Sequence, residues 1–313
     1  MRTVTLGKSS LKGSRLAYGC WRIADSRSPN EPSADIRERG RNAVLAAFEA
    51  GYTLFDHADI YGGGVPEEIF GQVLSMVSGM REQVLIATKC GIRFANEPAG
   101  ATFRYDFSAE HIRRSCEGSL KRLGIETIDL YQLHRPDLLM NPEEVAAVFS
   151  ELKQAGKVRE FGVSNFRPSQ VTLLQKFCPM PLLVNQVEVS LANRSCFEDG
   201  TLDQCLAEKI TPLAWSPLAG GMLSGSPGRI LPHQEAYTPG PIIAALDKVA
   251  EARETTRTVI ALAWLMKHPS NIVPIVGSTD PARIREAVKA DELELSREEW
   301  YLLLEAARGA RLP

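Results

Sequence analysis

Four side chains in this 313-residue sequence could together protonate an oxygen atom. Asp56 and Tyr61 lie in the stretch FDHADIYGGG, Lys89 ends ATK, and His134 ends YQLH. A free phenol titrates near about 10, so tyrosine is a poor acid at neutral pH. A neighbouring ammonium favours the phenolate and lowers that value. A carboxylate such as Asp56 holds the lysine in place and keeps it charged. An imidazole orients a carbonyl oxygen and shares in proton transfer. Such a set stabilises an oxygen as negative charge develops on it. It contains no obvious nucleophile–base pair, so hydride transfer to a carbonyl suits it well. The hydride must then come from a cofactor.

The elements that must carry these residues alternate. Strand-like runs at Leu16–Gly19, Thr53–Asp56, Val84–Lys89, Ile128–His134, Val158–Ser164, Leu182–Val189, Thr211–Ser216 and Ile272–Val276 are separated by helical patterns. Helices are expected over Ile36–Glu49, Pro66–Val77, from Ser108 to Gly124, and from Asn141 to Gly156. Further helices are expected over Arg167–Phe177, Phe197–Lys209, Ile242–Glu254, Thr258–Lys267 and Pro281–Ala290. Ser108 and Asn141 are good N-caps, and Gly124 and Gly156 are good stops. Eight strand–helix units without an obvious linker predict a (β/α)8 TIM barrel of the α/β class, one domain over residues 1–313. The doubly wound sheet shares the alternation, but no GxGxxG opens a helix after the first strand. Val4–Thr5 and a turn near Gly7 read as an N-terminal hairpin that could plug the barrel bottom. Ser296–Leu304 reads as an extra C-terminal helix, with Glu299 at the capping-box position.

A barrel keeps its chemistry at the carboxyl ends of its strands. Here those ends supply Asp56, His57 and Asp59, then Lys89, His134, Ser164 with Asn165, Asn185 with Gln186 and Glu188, Trp215 with Ser216, and Ser278 with Thr279. Any one of these is more often a solvated or paired loop residue. Seven successive strand ends would each need a separate such explanation. Two long segments also follow strands: Gly91–Phe107, and Leu218–Gly240 with five glycines and three prolines. Each is an insertion or a lid over the site.

Composition excludes other classes. Charged residues are 24% and apolar residues 44% of the chain, which argues against wholesale disorder. Net charge is −2 with no basic tract, so nucleic-acid binding is not expected. The apolar run Val259–Met266 is far too short for a membrane span. No signal peptide is evident, and a cytoplasmic setting is expected. Six cysteines form no CxxC pair, which fits reduced thiols better than disulfides or structural zinc. A metal-dependent barrel hydrolase would need more imidazole than His57 and His134 provide, and no metal is expected.

The whole chain resembles the aldo-keto reductase superfamily, and most closely its bacterial oxidoreductases of undefined substrate. FDHADIYGGG, ATK, LH, SNF, NQVE, WSPLAGG and VGSTDPARIREA carry the resemblance, in that order. It implies an NADP-dependent reductase of aldehydes or ketones, with Tyr61 as general acid, Lys89 and Asp56 tuning it, and His134 orienting the substrate. It implies that Ser164, Asn165 and Gln186 hold the nicotinamide carboxamide and that Trp215, at a position usually tyrosine, stacks on the ring. Ser216, Leu218 and Gly220 would follow the pyrophosphate. Gly277, Ser278, Thr279 and Arg283 would grip the adenosine 2′-phosphate, and Glu286 would reach the adenine.

The resemblance departs at Gly277 and Ala287, where many relatives carry lysine and asparagine. Asp280 also adds a negative charge beside the 2′-phosphate position. Arg283 keeps NADP(H) ahead, with NAD(H) possible. Trp21 resembles a pocket residue and, with Tyr61, Ile60 and Phe94, could form an apolar wall for a small carbonyl substrate. Arg93 and Arg104 could receive an acidic group, although solvated loop charges explain them as well. A cofactor-binding regulatory subunit with little turnover is the alternative reading. A monomer is the default expectation, with a dimer possible.

Overall fold

The computed structural model describes residues 1–24, 32–225 and 230–312. An antiparallel hairpin, β1 (Thr3–Thr5) with β2 (Lys12–Ser14), precedes β3 (Ala17–Gly19), β4 (Leu54–Asp56) and β5 (Leu85–Cys90). A small antiparallel pair, β6 (Ile92–Arg93) with β7 (Arg104–Tyr105), follows. The remaining strands are β8 (Ile128–Leu133), β9 (Val158–Ser164), β10 (Leu182–Glu188), β11 (Thr211–Trp215) and β12 (Val273–Val276). Strands β3, β4, β5, β8, β9, β10, β11 and β12 pair in parallel, and β12 returns to β3 to close a barrel. This is the expected (β/α)8 architecture.

The two-residue period of a strand divides inside from outside. Leu54, Leu85, Ala87, Leu130, Leu213 and Val273 form an inner apolar cluster, whereas Ile86, Cys90, Tyr131 and Phe161 belong to outer ones. Leu6 and Leu11 from the hairpin region are buried in the inner cluster, so the hairpin seals the lower end as expected. Arg2 fastens this corner: its amide and guanidinium both bond Asp291.

Surrounding the barrel are α1 (Ala34–Glu49), α2 (Val65–Met76), a short α3 (Met80–Gln83), α4 (Ala109–Leu123), α5 (Pro142–Gln154) and α6 (Pro168–Phe177). They are followed by α7 (Thr201–Glu208), α8 (Gly240–Ala252), α9 (Arg257–Met266), α10 (Pro281–Ala287) and α11 (Arg297–Arg308). Ser108 and Asn141 cap α4 and α5 with their side chains, as their sequence positions predict. Ser296 and Glu299 form the predicted capping box of α11, which runs on past Leu304.

Four expectations need revision. Helix α1 begins at Ala34 rather than Ile36, because Ser33 supplies the cap. The helix expected over Phe197–Lys209 divides into a 3-10 turn, Ser195–Phe197, and α7. Asp199 accepts the Thr201 amide at 2.9 Å and starts the second piece afresh. The Gly91–Phe107 segment is not plain loop but carries β6 and β7. Within Leu218–Gly240, 3-10 turns occupy Ala219–Ser224 and Pro232–Ala236. No described helix is long and apolar enough to cross a membrane, and Val259–Met266 is buried in α9. All six cysteines are buried and unpaired.

Interior packing is tight at the level below the strand ends. A Cβ on Gly162 would lie 2.4 Å from Val184 Cγ2 and 3.0 Å from its carbonyl oxygen. Gly162→Ala is therefore expected to cost about 1–3 kcal/mol in stability, read by urea denaturation. A variant as stable as the parent would mean that β9 and β10 can separate there without penalty.

Candidate active site

Lys89 ends the inner face of β5 with no solvent exposure. Its ammonium donates to Asp56 Oδ2 at 2.8 Å, the His57 carbonyl at 2.6 Å and the Tyr61 hydroxyl at 3.2 Å. Three donors thus meet three acceptors, which a buried ammonium requires. Asp56, at the end of β4, accepts Lys89 on one oxygen and Gln186 Nε2 on the other at 2.7 Å. Lys89 burial alone would lower its pKa. The Asp56 carboxylate and Tyr61 hydroxyl outweigh this and hold it above the ordinary value.

The local sequence fixes Tyr61. Gly62, Gly63 and Gly64 take φ values of 48°, 65° and 96°, left-handed conformations that glycine adopts without a Cβ penalty. A Cβ on Gly64 would also strike the Arg122 side chain at 2.4 Å. The chain then enters α2, where buried Glu67 pairs with Arg122 Nε at 2.7 Å and accepts Thr88 Oγ1 at 2.6 Å. Thr88 is the residue beside Lys89, so one carboxylate ties the tyrosine turn to the lysine strand.

The proton-transfer expectation is corrected in one respect. Burial raises the Tyr61 pKa more than the Lys89 ammonium lowers it, so the net direction is up. Tyr61 is a protonated phenol at neutral pH. His134 is driven well below its ordinary pKa by burial and by the Lys89 and Arg135 charges. Its ring, which meets Tyr61 edge-on at 5.8 Å, is a neutral imidazole that orients by hydrogen bonding.

On the far side of the barrel mouth, Asn165 takes φ 61° after β9. Its Nδ2 donates to the His134 carbonyl at 3.1 Å and to Ser164 Oγ at 2.8 Å. Its Oδ1 accepts the Trp215 indole N–H at 2.9 Å. Ser164 donates to the Gln186 carbonyl at 2.8 Å. Ser164, Asn165, Gln186 and Trp215 are therefore one connected group, joined to the tetrad through Asp56. The half-buried Trp215 indole offers a flat aromatic face beside amide and hydroxyl groups, a fit to a nicotinamide ring and its carboxamide.

The remaining expected cofactor residues lie around the same rim. Ser216 takes φ 49°, Leu218 packs on the core, and Gly220 is buried in the 3-10 turn after β11. After β12, Gly277 faces open space, the Ser278 carbonyl accepts Tyr18 Oη at 2.9 Å, and Thr279 is half-buried. Asp280 caps α10 through the Ala282 amide and lies 3.6 Å from Arg283 Nε. Glu286 is half-buried one turn further on.

On the substrate side, the structure brings Trp21 to 6.3 Å from the Tyr61 ring and leaves Ile60 half-buried beside it. Phe94 is instead 43% exposed on the β6–β7 hairpin and meets Phe103. Arg93 and Arg104 hold that hairpin together, through Asp106 at 3.0 Å and the Glu97 carbonyl at 2.8 Å. Sequence reasoning passed over Arg135, whose guanidinium lies 5.4 Å from the Trp215 ring centroid. Its place directly after His134 was the available signal. A cavity of about 340 Å³ opens here, lined by Arg135, Asn165, Glu188, Asn193, Trp215 and His233 among others. His57, by contrast, turns outward onto Phe70 at 4.7 Å. Among the described residues, no three acidic, histidine or cysteine side chains cluster as metal ligands do.

The chain belongs to the aldo/keto reductase family, whose model matches residues 15–308. Members are oxidoreductases that act on carbonyl compounds and use nicotinamide cofactors. A 6-dehydroglucose reductase of Novosphingobium aromaticivorans is 41% identical, with 98% of this chain and 96% of that one covered. Oxidoreductase YdhF of Escherichia coli is 36% identical over the full length of both. The solved glycerol dehydrogenase AKR11B4 of Gluconobacter oxydans superposes with a TM-score of 0.85 at 28% identity, covering 99% of this chain and 97% of that one.

Behind Tyr61, Asp59 carries an unusual carboxyl. Its Oδ1 is sealed from solvent and has no hydrogen-bond partner among the described residues, although part of the residue reaches the surface. Burial, with the Glu67 charge, pushes its pKa up to about 7 from 3.8. A carboxyl raised on folding costs stability as it ionises. The cost is absent below about pH 4, grows toward pH 7 and is constant above it. Asp59→Asn should therefore melt with the parent at pH 4 and gain about 4 kcal/mol above pH 7. A gap independent of pH would show that Asp59 is not raised.

Proposed function

We propose that this protein reduces a small aldehyde or ketone to the alcohol, reversibly, with Tyr61 donating the proton and NADP(H) preferred over NAD(H). One observation carries the reading: a fully buried ammonium, Lys89, bonded at once to the Asp56 carboxylate and the Tyr61 hydroxyl. When bound, the nicotinamide supplies the hydride. Trp215 would stack on the ring while Ser164, Asn165 and Gln186 hold the carboxamide and set which face is presented. His134, neutral, donates a hydrogen bond to the substrate oxygen. As charge builds on that oxygen, Tyr61 gives up its proton, and Lys89 stabilises the phenolate left behind.

On the substrate side, Trp21 and Ile60 stay beside Tyr61, whereas Phe94 lies on the outer hairpin. The 6-dehydroglucose reductase at 41% identity supports a hydroxyl-rich carbonyl compound of sugar type as the substrate.

Arg283 supports the NADP(H) preference, because its guanidinium can fork onto phosphate oxygens. Asp280 works against it from 3.6 Å away.

Two sets of variants test these roles. Tyr61→Phe should lower kcat at least about 100-fold, while the quenching of tryptophan fluorescence by NADPH changes little. Undiminished turnover would remove Tyr61 from the proton step. Arg283→Ala should weaken NADPH at least about tenfold more than NADH, and Asp280→Asn should tighten NADPH selectively. Equal changes for the two cofactors would place the 2′-phosphate elsewhere.

A further inference from the structure

Glu67 lies outside the barrel in the first turn of α2, and its side chain has no solvent exposure. A carboxylate at that depth has to be answered by donors. Two come from different elements. Arg122 Nε on α4 donates to Oε2 at 2.7 Å, and Thr88 Oγ1 on β5 donates to Oε1 at 2.6 Å. The arginine answers the charge. The hydroxyl is neutral, and what its bond adds is a fixed position.

What is fixed follows from the neighbours. Successive strand residues face opposite sides, so β5 turns Thr88 out to α2 and Lys89 in to the mouth. Glu67 stands three residues after Gly64, which closes the turn that opens with Tyr61. Arg122 backs that turn, since a Cβ on Gly64 would lie 2.4 Å from its Cδ, and Arg122 is held in turn by Ser119 Oγ at 3.3 Å.

The two flanks of Tyr61 are tied to β5 in different ways. Before it, the Asp59 amide donates to the Lys89 carbonyl at 3.0 Å. After it, residues 61–66 make no backbone bond to β5 among the described residues. The tie on that flank is the side-chain bond from Glu67 to Thr88. Phenol and ammonium are therefore linked twice, once directly at 3.2 Å and once behind the barrel wall.

We propose that Glu67 and Thr88 are positioning residues for the proton step: their bond holds the Tyr61 hydroxyl against the Lys89 ammonium from outside the barrel. The inference rests on the carbonyl-reduction reading above. Neither residue touches substrate or cofactor. Each acts through the distance over which the ammonium stabilises the phenolate, and in a site without water that distance weighs heavily.

Thr88→Val keeps the shape of the side chain and deletes the hydroxyl, while Thr88→Ser keeps the hydroxyl. In single-turnover reduction of glyceraldehyde by NADPH, Thr88→Val should react at least about tenfold more slowly. The solvent deuterium isotope effect on that step should rise, because proton transfer is what has been impaired. The Kd for NADPH should stay within about twofold of the parent value. Thr88→Ser should recover most of the rate. Loss of folded protein would lower the amplitude and leave the isotope effect unmoved. A parental rate in Thr88→Val, or a slower one with an unmoved isotope effect, overturns the proposal.

Should Thr88→Val not fold, Glu67→Gln weakens the same bond from the other side and should slow the step at least about threefold. An unaltered rate there would equally overturn the proposal. If the parent protein reduces no carbonyl compound, the reductase reading fails instead, and hydrogen exchange still decides the tie. Amides of residues 61–64 should exchange at least about tenfold faster in Thr88→Val, with β9 unaltered. Equal exchange in variant and parent overturns the tie.

Discussion

A charge buried without water must be answered from within the protein, and the ammonium of Lys89 imposes that constraint on the whole barrel mouth. Three acceptors have to converge on one nitrogen. They come from the end of β4, from the backbone one residue beyond it, and from the glycine turn that follows. Asp56 cannot move without leaving the ammonium unpaired, and Gln186 holds its other oxygen from across the barrel. Strand register, turn geometry and the far wall are thus fixed by a single requirement. Outside the barrel, Glu67 reinforces it by bonding Thr88 and Arg122.

Ionisation states follow from the same burial. The ammonium remains charged because its partners outweigh desolvation, the phenol remains protonated because they do not, and the imidazole loses its proton altogether. A cation, a neutral acid and a neutral donor stand side by side. None of the three has to change its resting state before a reaction begins, which is what preorganisation means in electrostatic terms.

Much of this was legible in the sequence. The eight strands and their helices follow from apolar periodicity and from caps such as Ser108, Asn141 and Ser296. Asp56, Tyr61, Lys89 and His134 stand out because polar residues at successive strand ends have no role in a core. The breakdowns have physical causes. The helix through Phe197–Lys209 divides because Gly200 takes φ 83° as the N-cap of α7, with Asp199 accepting the Thr201 amide just before it. The β6–β7 pair is two residues per strand, too short for a periodic pattern to register. The phenol pKa went the other way because a nearby cation can be read from residue types, whereas depth of burial cannot. Glu188 was visible as a strand-end residue. Its hydrogen-bond partners His233, Gln234 and Tyr237 lie in a stretch without periodicity, and their convergence is a tertiary fact.

The six cysteines have a practical meaning. Each thiol is buried and pushed upward in pKa, those of Cys116, Cys178, Cys196 and Cys205 to about 12. Thiolate is the reactive form, so the native chain is nearly silent toward maleimides and disulfide reagents while it stays folded. Leu139 is 91% exposed in the loop that follows His134. A fluorophore or spin label attached through Leu139→Cys would therefore report on the rim of the mouth from one defined position, with no need to strip the native cysteines first.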